Sequence, residues 1–170
     1  MNKMGIIALA LFALVGCGQK ESSAPSAQEA SSSAPASRVS NLQATALKSQ
    51  AYINEGLKQL EQSNIPAAIT SFDSAIKANP RDPRGYLVLG QAYLRLKRFD
   101  RAIDTFSAMI RVAPRDGEAY YLLAVSYGLS GDKALAKENA EKSIKIFQSQ
   151  KDEERFMRSV ALLNGLSQEK

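Results

Sequence analysis

Cysteine, histidine and paired carboxylates perform most covalent and metal chemistry in proteins, and this chain is poor in them. Its 170 residues include one cysteine, Cys17, and no histidine. A single thiol forms neither an intrachain disulfide nor a cysteine-based zinc site. The lack of histidine excludes a Ser-His-Asp triad and a histidine metal site. The acidic pair Glu153-Glu154 follows Asp152, and interaction with a helix dipole explains it better than acid catalysis. We therefore predict no catalytic activity, no metal and no cofactor.

The residues before Cys17 have the composition of a secretory signal. A short basic region containing Lys3 is followed by an apolar run that ends at Val15, and this run is shorter than the about 20 residues of a transmembrane helix. The sequence LVGC at residues 14–17 resembles the lipobox of bacterial lipoproteins. The resemblance implies that residues 1–16 are removed and that Cys17 becomes a lipidated N-terminus. Several acyl chains together would hold the protein stably on a membrane. An ordinary signal peptide with an incidental cysteine is the alternative.

The residues after Cys17 suggest where the protein is held. Gly18 resembles the outer-membrane sorting signal of Gram-negative lipoproteins, so the expected location is the cell envelope, on the outer membrane facing the periplasm if the source is Gram-negative. Residues 17–39, the lipidated cysteine and a segment rich in Ser, Ala and Pro, bury too little apolar surface to fold. We expect a disordered tether there.

A 34-residue period dominates the rest of the chain, as Tyr52, Tyr86 and Tyr120 illustrate. Such a period is typical of stacked helical hairpins. The middle copy, YLVLGQAYLRLKRFDRAIDTFSAMIRVAP, resembles the tetratricopeptide repeat, with Tyr86 in place of the usual Trp. The resemblance implies an all-α fold, a right-handed α-solenoid within residues 40–170. Its expected parts are three hairpins at residues 49–82, 83–116 and 117–150 and a C-terminal capping helix at 152–167.

Helical spacing supports this interpretation independently. Tyr86, Leu89, Gly90 and Tyr93 lie at i, i+3, i+4 and i+7, on one face of a helix. One hairpin cannot bury its own apolar face, so the copies must stack.

The two end copies depart from the middle one. Ser40 and Gln43 form a plausible capping box that starts the first helix early. In the third copy, Ala140 replaces the aromatic residue of the other copies, and we expect a loosened second helix there.

The first helix of each copy carries a second stripe of side chains. In tetratricopeptide proteins this stripe lines a concave groove that holds a peptide, and the resemblance implies a mainly apolar groove with a basic rim from Arg84, Arg95 and Arg115. The alternative is that these residues pack against neighbouring repeats or a second copy. The implied lining residues are Gln50, Ile53, Leu57, Leu60, Arg84, Leu87, Gln91, Leu94, Arg95, Glu118, Tyr121 and Val125.

The charge is uneven. The formal net charge is +5, and residues 83–116 hold seven cationic against three acidic side chains. Local ion pairs on a solvated surface are one explanation, and an acidic peptide or anionic lipid headgroups are another. No aromatic platform accompanies the arginines, so we expect no nucleic-acid binding.

These features predict a membrane-anchored scaffold or adaptor that holds an apolar-anchored peptide or helix of a cell-envelope partner. Small lipoproteins with such repeats resemble assembly factors for pili, secretion systems and outer-membrane complexes. A structural or self-associating lipoprotein without a dedicated client, hence a homo-oligomer, is the alternative. An accessory subunit of a separately encoded enzyme is a third interpretation.

Overall fold

The computed structural model describes residues 34–168, with side chains from residue 39 onward. Cys17, residues 1–16 and most of the expected tether lie outside that part. The described residues form seven helices and no strand, which confirms the expected all-α solenoid of hairpins. The helices are α1 Ala34–Glu61, α2 Ile65–Ala78, α3 Pro83–Arg95, α4 Phe99–Val112, α5 Gly117–Ser130, α6 Lys133–Gln150 and α7 Glu153–Gln168.

Helix α1 starts earlier than expected. It has 28 residues and already runs through Ser40, so Ser40 is not its N-cap and residues 34–39 are helical rather than part of the tether. The composition explains the difference. Pro35 is compatible with the first helical turn, and neither proline nor glycine recurs before Gly56.

Glycines in the first helices let rings of the second helices approach closely. A Cβ atom added to Gly56 would lie 2.3 Å from the ring of Phe72, and one added to Gly90 would lie 2.4 Å from that of Phe106. Both rings are fully buried. The first two hairpins are therefore closed by the same contact between a ring and a bare backbone.

The third hairpin is closed by a different residue. Ala140 stands at the position of Phe72 and Phe106, but Phe147, seven residues later and two turns along α6, is fully buried. Its ring faces Gly117, where an added Cβ would lie 2.7 Å away. The expectation of a loosened second helix is therefore wrong, because α6 continues without a break to Gln150 and buries both Ala140 and Phe147.

The turns inside the hairpins share one backbone conformation. A positive φ occurs at three residues spaced by 34: Ser63 (62°), Lys97 (56°) and Gly131 (96°). The next residue starts the second helix of each hairpin. Asn64 and Asp132 cap α2 and α6 by accepting a backbone N–H, whereas Arg98 gives α4 no side-chain cap.

Helix α7 packs onto the last hairpin. Its bounds differ by one residue from those expected of the C-terminal helix, and its side chains Ser159 and Leu166 are buried. A methyl group of Leu166 would lie 3.2 Å from a Cβ added to Gly128 of α5. The helix thus covers apolar surface that the third hairpin would otherwise expose.

Candidate peptide-binding groove

The residues expected to line the groove lie on α1, α3 and α5, the first helices of the three hairpins. Gln50, Arg84 and Glu118 occupy equivalent positions, 34 residues apart. The structure joins the first two directly, because the Arg84 guanidinium donates a hydrogen bond to the side-chain oxygen of Gln50. This hydrogen bond connects the first and second repeats on the stripe that was expected to line the groove.

Arg84 is held in place by the residue that starts its own helix. Asp82 caps α3 by accepting the backbone N–H of Arg84 at 3.0 Å, and its carboxylate also accepts from the guanidinium at 3.0 and 2.7 Å. This hydrogen bonding to Arg84 holds the pKa of Asp82 below its usual value, although burial acts in the opposite direction. Arg84 therefore lies on the expected rim as an exposed cation whose charge is paired with that of Asp82.

The apolar members of the stripe differ in exposure. Leu57 is 41% exposed, while Leu60, Leu87 and Leu94 are half-buried. Leu87 and Leu94 pack against the core of the second and third hairpins, and Leu60 packs against that of the first two. Ile53 is only 5% exposed, so it offers almost no surface to a ligand, and its assignment to the groove surface is wrong.

The third repeat is partly covered by α7. Arg158 of α7 forms an ion pair with Glu118, and its guanidinium lies over the Tyr121 ring, 4.3 Å from the centroid. Tyr121 and Val125 are half-buried. Sequence reasoning missed Arg158, because its partners are about 40 positions away and its own spacing indicates only a solvated helix face.

The open part of the stripe therefore lies on α1 and α3. Gln91 is exposed in the middle of α3, and Arg95 is exposed in its last turn. Among residues 34–168, Arg95 has no ion-pair partner. Leu57 faces solvent on α1. Together these side chains offer one exposed apolar group, one amide and one cationic group. Arg115, the remaining rim residue, is also exposed.

Two cavities lie at turns between helices. One of about 430 Å³ is lined by the turn from α3 to α4 and the end of α5. Another, of about 490 Å³, lies at the turn from α4 to α5, next to Phe147. The described part of the chain holds no group of three or more potential metal-ligating side chains. Among its helices, none is long and apolar enough to span a bilayer.

Comparison with known proteins agrees with the geometry. Family models of the tetratricopeptide repeat match residues 53–111 and 117–150, together more than half of the 170 residues. A search of curated protein sequences finds no match.

Solved structures resemble the fold. The TPR2B domain of yeast Sti1, in complex with pHsp70, is 23% identical, with a TM-score of 0.69 over 73% of this chain and 99% of that one. The Yersinia enterocolitica type III secretion chaperone SycD, in complex with a YopD peptide, is 16% identical, with a TM-score of 0.65 over 69% and 91%.

PcrH from Pseudomonas aeruginosa is 18% identical, with a TM-score of 0.66 over 70% of this chain and 91% of that one. At these identities the likeness establishes the fold alone. The 34-residue period, the seven helices and the family-model matches all lead to one assignment: the chain belongs to the tetratricopeptide repeat family.

Proposed function

We propose that this protein is a lipid-anchored adaptor of the bacterial cell envelope, which binds an apolar segment of a partner protein on the open surface of α1 and α3. The observation that carries this proposal is that the groove stripe is open on α1 and α3, where Leu57 is exposed and Leu60, Leu87 and Leu94 are half-buried. Arg95, exposed in the last turn of α3, favours a segment with an acidic flank. The chain acts by binding, not by catalysis.

Related folds make this use of the surface reasonable. The solved structures of the Sti1 TPR2B domain and of SycD contain a partner or a partner peptide. In this chain, Arg158 covers Glu118 and Tyr121, so the partner contacts mainly the first two repeats. We expect a shorter binding segment than a groove of three open repeats would accept.

The anchor is Cys17. Replacing it with serine removes the thiol that would carry the lipid. The Cys17→Ser protein should lose incorporation of radiolabelled palmitate and leave the membrane fraction. If the variant is labelled and sedimented like wild type, the anchor is placed elsewhere and this half of the proposal fails.

Site-specific photocrosslinking tests the binding surface. A photoreactive phenylalanine analogue at Gln91, exposed on α3, should give a discrete band with a different protein in envelope preparations. The same analogue at Glu141, exposed on α6, serves as the control. Bands made only of copies of this chain would support the self-associating alternative instead.

A charge placed on the surface should remove the crosslink. Leu57→Asp adds a carboxylate to the proposed contact, while Leu135→Asp makes the same change on α6 at similar exposure, 37% against 41%. We expect loss of the Gln91 crosslink with Leu57→Asp only. Equal loss in both variants, with circular dichroism unchanged, would refute the assignment of this surface. Leu87 and Tyr121 are less suitable for this test because both pack against the core.

A further inference from the structure

The first part of α1, residues 34–48, extends beyond the repeat. It precedes the hairpin position of Ser49 by 15 residues, or about 22 Å of helix. Three large apolar side chains there face solvent: Val39 is 54% exposed, Leu42 65% and Leu47 72%. An isolated helix of this length is marginal in water, so a surface that receives these side chains would stabilise it.

The three side chains share one side of the helix. At 3.6 residues per turn, Val39, Leu42 and Leu47 fall within an arc of about 140°. Ala44, exposed as well, lies outside that arc. The segment from residue 34 to residue 54 contains Arg38 and Lys48 and no acidic residue. With three exposed aliphatic side chains on one side, where Gln43 is the polar exception, and with a cationic net charge, it has the character of a helix that lies on an anionic membrane surface.

We propose that residues 34–48 dock on the bilayer to which Cys17 is anchored, with Val39, Leu42 and Leu47 in contact with the boundary between headgroups and acyl chains. This inference rests on the lipid anchor proposed above. Only residues 18–33 separate Cys17 from α1, and a segment of that length reaches at most about 55 Å. The helix is thereby kept at high effective concentration beside the membrane, so a small apolar contact suffices.

The area of the surface argues for a membrane rather than a second copy. Three aliphatic side chains of this exposure supply roughly 300 Å² per chain, about 600 Å² for a pair, whereas specific dimers bury about 1,200–2,000 Å² in total. The cationic character also makes two such helices repel each other, while anionic headgroups attract both. A tethered contact with lipid needs no such area.

Docking would also orient the candidate groove. Val39 precedes Leu57 by 18 residues, and Leu42 precedes Leu60 by the same interval. Since 18 residues make five full turns, each pair lies on one line along α1. Leu57 would then lie on the docked side of α1, about 27 Å further along the helix than Val39, and a partner would be met close to the membrane surface.

A single tryptophan tests the proposal, because the chain contains none. The full lipidated chain carrying Leu47→Trp is incorporated through its anchor into vesicles of phosphatidylethanolamine and phosphatidylglycerol. We expect a blue-shifted emission that brominated lipids quench. Ala44→Trp, on the same helix but outside the apolar arc, is the matched control and should keep water-like emission that iodide quenches.

Other outcomes overturn the proposal. Water-like emission from both positions means that the helix does not dock. A blue shift of Leu47→Trp that needs no vesicles and grows with protein concentration identifies a second copy as the occupant. A blue shift that appears only when an envelope partner is added identifies that partner instead.

Attaching the protein to vesicles by another anchor tests the docking of the helix independently of the lipidation of Cys17. If Cys17 proves unmodified, residues 18–170 with an N-terminal histidine tag can be held on vesicles that contain a nickel-chelating lipid. Lipid quenching of Leu47→Trp in that arrangement would support the docking surface even though the proposed anchor had failed. Its absence, with the protein demonstrably bound, would refute the surface alone.

Discussion

Replacing Gly90 with alanine tests the contact that closes the middle hairpin. The substitution adds one methyl group in the interior of α3. That Cβ would lie 2.4 Å from Cε1 and 2.5 Å from Cζ of the Phe106 ring, whereas carbon atoms in contact prefer about 3.5–4.0 Å. Phe106 is fully buried, so its ring has no space into which it can withdraw without displacing its neighbours.

Two opposing effects determine how much Gly90→Ala changes the free energy of unfolding. Overpacking a core of this kind typically costs about 1–3 kcal/mol. Alanine is preferred over glycine in a helix interior by up to about 1 kcal/mol, which offsets part of that cost. Because a separation of 2.4 Å is far below contact distance, the overpacking cost lies in the upper part of its range, about 2–3 kcal/mol. We therefore expect a net loss of about 1–2 kcal/mol in the free energy of unfolding, or about 5 °C in Tm for a helical unit of this size.

Urea unfolding followed by circular dichroism measures the effect. Gly165→Ala is the matched control, because Gly165 lies in α7 with no atom within 4 Å of an added Cβ, and it should be neutral or stabilising. Adding Phe106→Leu to Gly90→Ala should cost less than the sum of the single changes, since the two residues share one contact. Equal or higher stability of Gly90→Ala would refute the close approach of the ring.

Three further changes follow from the same structure. Lys97→Gly should stabilise the protein by about 0.5–1 kcal/mol in urea unfolding, since its positive φ (56°) strains any residue with a Cβ; no gain would contradict this backbone conformation. Phe147→Ala should lower the free energy of unfolding by about 3–5 kcal/mol in the same measurement, because the ring fills the space beside Gly117. A loss below about 1 kcal/mol would show that other residues, and not Phe147, hold the third hairpin together. Pairing with Arg84 lowers the pKa of Asp82, so the contribution of its charge is complete above about pH 4 and is lost as the pH falls through the folded-state pKa. Asp82→Asn should therefore be less stable than wild type at pH 7 and approach it at pH 3, and an equal difference at both pH values would refute the role of the charge.

Most of the fold could be predicted from the periodicity of the sequence. Tyr86, Gly90 and Phe106 lie at fixed positions of the repeat, and their place in the helices can be predicted because residues three, four and seven apart share one helix face. The boundaries of the middle hairpin follow from Asp82 and from the proline after it.

Contacts between residues far apart in the sequence could not be predicted from this periodicity. Arg158 reaches Glu118 and Tyr121 only because α7 packs beside α5, and nothing in its local sequence distinguishes it from an ordinary surface arginine. Ile53 looks like any other apolar residue of the stripe, and its spacing does not distinguish its buried position from the exposed position of Leu57. The start of α1 was misplaced because the helix continues through polar residues that also suit a cap.

The use of Phe147 at the end of the third hairpin means that the three hairpins are not interchangeable modules. Helix α6 has 18 residues, whereas α2 and α4 have 14, and Asp152 follows Asp116 by 36 positions instead of 34. The terminal helix is therefore matched to the third hairpin alone. A gene encoding a duplicated middle hairpin should still yield a folded, longer array, whereas one lacking the third hairpin would leave the terminal helix with no compatible surface.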